Sequence, residues 1–454
     1  IRSALKQPLA TTNSHGLLAN REIPPEKPIG IRRILLLGDS SPVGIGLERR
    51  QQAFGEALTT ILNRRYADFF RVELINMAVS GFSSEQIRIQ LKRGLAYDPD
   101  LVIVYIGNND ASVSGRVSDR ELIEANSKRR VQPANNILSK STLYRALKAL
   151  LMPLKSLFHS IGDKRIILRV GVSRFRENLE NIAKNCQRNK VPVVFVKPPV
   201  PTLWPAGLQF RALVNQSNSA GQIIMPDTLR KLFGSNASYC LDSGLMKDIY
   251  GDADIFTQAV YRSSYNSALA RENFIATPDE NSSSLKWNNY GVSLWKSGEY
   301  LAADSALLRA REIYVRRETG DMNDFVSRSV GSVYLYNIGL NRAFKNIIPR
   351  EEISLRTKEF FEVSVYLDSA LDADFFSLRI KRDYLKIFDG LLFEDRQQAL
   401  SIVDVRNAFA ENNAERLFID HCHLTVLGHR IVANVLFQEI VTKKYLESDS
   451  IMMR

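Results

Sequence analysis

The feature that most constrains this chain is a series of short, mostly apolar runs separated by stretches of helical spacing. The runs are Arg33–Gly38, Val72–Met77, Leu101–Ile106, Val191–Val196 and, much later, Leu400–Val405. A run that is apolar at every position suits a strand covered on both faces, as in a parallel sheet. Helical patterns follow at Glu48–Tyr66, Ser84–Ala96 and Phe175–Arg188, and a closing helix is expected over Leu424–Val441. No hairpin signal separates the runs. Strands alternating with helices predict right-handed βαβ units, hence an α/β fold with a flavodoxin-like, doubly wound, five-stranded parallel sheet. In such sheets ligands bind beyond the carboxyl ends of the strands. The segments just after Leu37, Met77, Ile106, Val196 and Val405 are therefore the places to look.

Residues 201–398 break the alternation and are helical in pattern. Trp287, Tyr290, Gly291 and Leu294 are followed by Gly298, Tyr300, Ala303, Leu307 and Ala310. This spacing matches the helix–turn–helix of a tetratricopeptide repeat near 285–315; an ordinary helical hairpin is the alternative. Leu335–Gly339 reads as the start of a degenerate second copy, at a longer offset than the usual period of about 34 residues. The organisation read from the sequence is an extension or linker over 1–30 and an α/β domain over 31–200 and 399–446. A helical insertion over 201–398 lies between the fourth and fifth strands, and 447–454 form a tail. One or two repeats cannot form a solenoid alone, so the insertion must pack on the α/β domain or on a partner.

Composition narrows the function. Hydrophobic residues make up 45% and charged residues 24% of the 454, which excludes disorder, collagen and coiled coil for the bulk of the chain. The net charge of +12 comes from scattered residues, and no nucleic-acid-binding motif accompanies it, so nucleic acid is not an expected partner. A membrane surface or acidic polysaccharide stays open as an anionic partner. Lys128–Arg130, the tightest basic cluster, reads as a solvated loop. Three cysteines cannot staple a fold of this size. No run approaches the length of a membrane span. The chain starts at Ile1, which leaves room for a signal or tether upstream.

Four segments carry the chemistry. The first strand runs into Gly38-Asp39-Ser40, placing a serine at the ligand-binding edge; a helix-capping serine is the alternative. Gly81, after the second strand, can offer its N–H to a ligand or serve only as a turn residue. Asn109, in Gly107-Asn108-Asn109-Asp110 after the third strand, can donate to a developing oxyanion or serve as a turn or cap. Asp420-His421-Cys422-His423 precedes the closing helix, and an acid three residues before a histidine can orient its imidazole. A zinc reading of the two histidines and the cysteine finds no second ligand cluster, so neither metal nor cofactor is expected. Cys422 reads as a packing residue, His421 as a loop residue, His429 as packed on the closing helix and Cys186 as buried. Trp204 reads as core or substrate wall.

Taken in order, these blocks resemble the SGNH (GDSL-type) hydrolases: Gly38-Asp39-Ser40, Gly81, Gly107-x-Asn109-Asp110 and Asp420-x-x-His423, with Gly428 typical of the last block. The resemblance covers about 31–200 and 399–442. It implies Ser40 as nucleophile, His423 as general base and acid, and Asp420 as the group orienting His423. It also implies an oxyanion hole of the Ser40 and Gly81 N–H groups and the Asn109 side chain. Substrate-binding residues stay unassigned. Ser41-Pro42 after the serine and Leu424 after the histidine depart from the usual pattern without removing a catalytic group. The Gly-x-Ser-x-Gly elbow of the α/β-hydrolases does not occur. The expected activity is a serine ester hydrolase acting through an acyl-enzyme on a small acyl ester or acylated carbohydrate or lipid of the envelope. An O-acyltransferase with the same triad is the chemical variant. An interaction subunit of an envelope assembly, docking a protein partner through 201–398, is the alternative from another class. The lead-in from His15 through Arg21 and Lys27 to Gly30 is similar to exported bacterial members, which implies an extracytoplasmic, membrane-anchored setting.

Overall fold

The computed structural model describes residues 12–115, 117–129, 167–201, 277–296, 298–318, 325–346, 358–374, 379–392, 400–411, 417–419 and 422–447. The five apolar runs form one parallel sheet. Its strands are β1 (Ile31–Gly38), β2 (Arg71–Asn76), β3 (Leu101–Tyr105), β6 (Val193–Lys197) and β7 (Leu400–Asp404), in the order β2-β1-β3-β6-β7. This is the doubly wound order expected from the sequence. A short antiparallel pair, β4 (Val113–Gly115) with β5 (Ile167–Leu168), is added beside it; runs this short carry no readable period.

Alternation along β1 shows why Ile34–Leu37 is apolar at every position. Leu35 and Leu37 face one side of the sheet and Ile34 and Leu36 the other, all fully buried. The first side is covered by α3 (Ser84–Gly94), α5 (Val172–Arg188) and α10 (Arg382–Leu392), through Ile87, Leu91, Phe175, Leu179, Phe388 and Leu391. The second is covered by α2 (Phe54–Arg65) and the closing helix α12 (Val426–Lys443), through Phe54, Leu58, Val432 and Leu436. A short helix between β7 and the closing helix, α11 (Arg406–Glu411), adds Phe409 to that side. Each such side chain contributes about 1.5–3 kcal/mol on burial.

Helix α10 corrects the expected boundary at residue 398. Tyr384, Ile387, Phe388 and Leu391 pack in the sheet core, so residues from about 379 belong to the α/β domain. Parallel neighbours need a crossover on a sheet face, and α10 completes the crossover from β6 to β7. Before it come α6 (Ser284–Lys296), α7 (Tyr300–Ile313), α8 (Phe325–Asn346) and α9 (Lys358–Ala373). Two helix pairs each place a glycine against a leucine. Gly291 of α6 lies against Leu307 of α7, and Gly339 of α8 against Leu367 of α9. An ion pair from Arg342 to Asp304, at 2.8 and 2.9 Å, ties α8 to α7.

Two further expectations change. Residues 17–30 do not form a free linker: Leu17 and Ile23 are buried in the sheet core, and Leu18 N–H donates to Asn76 O at 2.9 Å. Lys128 and Arg129 end helix α4 (Asp119–Arg129) rather than sit in a loop. Trp204 and the 447–454 tail beyond Glu447 lie outside the described residues.

Candidate active site

Ser40 is the first residue of a one-turn helix, α1 (Ser40–Val43), directly after β1. Asp39 caps it: its Oδ1 accepts the Ser41 N–H at 2.9 Å. The serine is thus held in a tight turn at the carboxyl end of β1. His423 reaches it from the other end of the chain. Ile419 N–H donates to His423 O at 2.9 Å and Thr425 N–H to Leu417 O at 2.8 Å, pinching the loop before α12. Thr425 then caps α12 by accepting the Gly428 N–H at 3.2 Å. These bonds fix the backbone on both sides of His423, whose Nε2 lies 2.7 Å from Ser40 Oγ. His423 is almost fully buried.

That geometry suits proton transfer: a base within about 3 Å of a hydroxyl can take its proton as the oxygen attacks. The other nitrogen, Nδ1, lies 3.7 Å from Cys422 Sγ. Asp420 and His421 lie outside the described residues.

Gly81 and Asn109 stand after β2 and β3, the strands on either side of β1. Gly81 has φ +80°, and among the described residues no acceptor lies against its N–H. Asn109 Nδ2 donates to Phe82 O at 3.1 Å, which joins the two turns and leaves the second amide hydrogen for another acceptor. Ser40, Gly81 and Asn109 therefore occupy three adjacent strand ends on one edge.

The sequence reading missed what supports these turns. Asn108 Oδ1 accepts the Ile380 N–H at 3.2 Å, tying the third block to the segment before α10. Gly107 has φ +125°, and an added Cβ would stand 2.4 Å from Ile380 Cδ1. Gly107→Ala should therefore cost about 1–3 kcal/mol, from backbone strain and the displaced isoleucine. Urea unfolding measures it, and an unchanged midpoint would contradict the packing. Lys381, next in the chain and buried, donates to Leu371 O at 2.9 Å and to Asp374 O, so the carboxyl end of α9 is fastened to the same segment. No local motif could have signalled the contacts of Gly107 and Asn108 with Ile380, which pair residues far apart in sequence.

Burial sets the electrostatics. It pushes the Asp39 carboxyl up to about 6 and the Asp110 carboxyl up to about 7, against bonds from Ser41 and Ser84 that pull them down. The folded chain thus binds these protons more tightly than the unfolded chain. That contribution is full below the ordinary carboxylate value of about 4 and is lost as pH rises through 6 and 7. Asp110→Asn fixes the neutral form. Its urea midpoint should gain on the wild type between pH 5 and pH 8; a gap constant in pH would refute the shift at Asp110. His429 is pushed down to about 3 by burial and stays neutral, with Nδ1 accepting the Phe54 N–H at 3.2 Å. It is a core residue, as is Cys186.

Residues 36–225 match the model of the GDSL-like lipase/acylhydrolase family, a span that holds Ser40, Gly81 and Asn109 and ends before β7. No curated protein matches the chain. Among solved structures, it is similar to the lipase/acylhydrolase from Enterococcus faecalis, with 21% identity, a TM-score of 0.21, and coverage of 37% of this chain and 57% of that one. The psychrotrophic esterase EstA from Pseudoalteromonas sp. is 17% identical, with a TM-score of 0.22, over 38% of this chain and 62% of that one. The acetyl xylan esterase AlAXEase is 11% identical, with a TM-score of 0.32, over 90% of this chain and 99% of that one. The chain thus spans about three fifths of the first two.

Proposed function

We propose that this chain, whose residues 36–225 match the model of the GDSL-like lipase/acylhydrolase family, is a serine ester hydrolase working through an acyl-enzyme. The observation that carries this reading is the 2.7 Å contact between Ser40 Oγ and His423 Nε2 at the carboxyl edge of the sheet. Ser40 Oγ attacks the acyl carbonyl while His423 Nε2 takes its proton. The carbonyl oxygen, now an oxyanion, is met by the Ser40 and Gly81 N–H groups and the Asn109 carboxamide. His423 returns the proton to the departing alkoxide, and the acyl group stays on Ser40. Water, deprotonated by the same histidine, then releases the acid. Asp420 stabilises the charged imidazole in this scheme.

The substrate class we propose is an acyl or acetyl ester of envelope carbohydrate or lipid, met on the extracytoplasmic side. The lead-in's likeness to exported members supports the location. Purified protein should hydrolyse p-nitrophenyl acetate in a Ser40-dependent way and be labelled by a fluorophosphonate. If neither occurs, the hydrolase reading fails for simple esters. Acetate release from O-acetylated polysaccharide, measured beside fatty-acid release from a phospholipid, separates the substrate classes.

A further inference from the structure

The turn that presents the Gly81 N–H has no strand or helix of its own. Gly81 is exposed, and nothing lies within 4 Å of where a Cβ would be. Its position therefore depends on tethers. Phe82 O is held by Asn109, as above. Gly81 O is held by Arg169, whose Nη2 donates to it at 2.7 Å. The guanidinium is fixed in turn by Asp119, which accepts from Nη2 at 2.8 Å and from Nε at 3.2 Å. Asp119 is buried and also accepts from Gln86 Nε2 of α3 at 3.3 Å. The Arg169 backbone is locked as well. Its N–H donates to Ser112 O at 2.8 Å, and its carbonyl accepts the Asp119 N–H at 3.0 Å. A planar guanidinium clamped by a buried carboxylate gives a donor of fixed direction.

We propose that Arg169 is a positioning residue for the oxyanion hole, holding the Gly81 turn by its carbonyl, with Asp119 fixing the guanidinium. The inference rests on the hydrolase reading. Arg169 bonds neither Ser40 nor His423, so its loss should leave the nucleophile and base paired while misplacing one oxyanion donor. An interaction realised in the transition state lowers kcat when it is removed and leaves KM nearly alone.

The test compares wild type with Arg169→Met, Arg169→Lys and Asp119→Asn on p-nitrophenyl acetate, with fluorophosphonate labelling rates alongside. Arg169→Met should lower kcat and the labelling rate by about 10- to 100-fold, with KM within about twofold. Arg169→Lys, which keeps one donor, should recover part of the loss, and Asp119→Asn should fall between. A kcat for Arg169→Met within about twofold of wild type overturns the proposal, as does a loss carried by KM alone. Should Arg169→Met fail to fold, the Lys and Asn variants decide on the same criteria. Amide hydrogen exchange at Phe82, whose N–H donates to Val79 O at 3.2 Å within the turn, needs no turnover. It should quicken by about tenfold in the variants, and unchanged exchange overturns the proposal even if the wild type hydrolyses nothing. A silent wild type with quickened exchange sinks the hydrolase reading and leaves the positioning role standing.

Discussion

Replacing Ser40 by alanine is expected to lower kcat on p-nitrophenyl acetate by about 10³-fold or more and to abolish fluorophosphonate labelling. Other nucleophiles near the base cannot take over. The Ser41 hydroxyl is buried and turned toward Cys422 O, at 3.5 Å. The Cys422 thiol is buried behind the imidazole, on its Nδ1 side. What survives in Ser40→Ala should be the modest rate supplied by the oxyanion donors alone. His423→Ala should fall by a similar factor, because the two side chains act as one unit, and the double variant should be scarcely slower than either. Additive losses would mean that the 2.7 Å contact is not a working nucleophile–base pair. Ser40→Ala should fold like the wild type, since Ser40 is only partly buried and the removed hydroxyl bonds His423 alone among the described residues.

The sheet was legible because its strands are mostly apolar, β3 and β6 almost wholly so, as strands covered on both faces are. The serine, glycine and asparagine of the candidate site were legible because each follows a strand within a few residues. The supports were not. Ile380 meets Asn108, and Arg169 meets Gly81, across distances that periodicity does not measure. Helix α10 has the spacing of any amphipathic helix, so nothing local separates it from α6–α9. What assigns it to the sheet is the need for a crossover into β7. Asp420 is legible as a motif residue, and its role stays with the proposed mechanism.

Arg33 shows the same limit at the opposite end of the sheet, and carries the second large effect. It begins an apolar run, yet it is fully buried, and all five of its N–H donors are used. Nε bonds Glu73 at 2.9 Å, its register partner on β2. Nη1 bonds Pro25 O at 2.7 Å and Tyr97 O at 2.9 Å; Nη2 bonds Pro24 O at 2.9 Å and Glu26 O at 3.1 Å. The lead-in is thus stitched to the sheet by one guanidinium. Arg33→Met keeps the apolar stem but leaves Glu73 with only Arg21 among the described residues, which approaches from the solvent side, and strands four carbonyls. Removing one partner of a buried pair costs about 3–5 kcal/mol, because the remaining charge stays desolvated. Urea unfolding should show that loss, and proteolysis should cut within residues 12–30 before the core opens. Arg33→Met combined with Glu73→Gln should recover part of the stability, since the stranded charge is gone. Any turnover of p-nitrophenyl acetate by the folded fraction should hold, because Ser40 lies at the far end of β1. A loss below about 1 kcal/mol, or a double variant no more stable than Arg33→Met, would show that the guanidinium is not the tether.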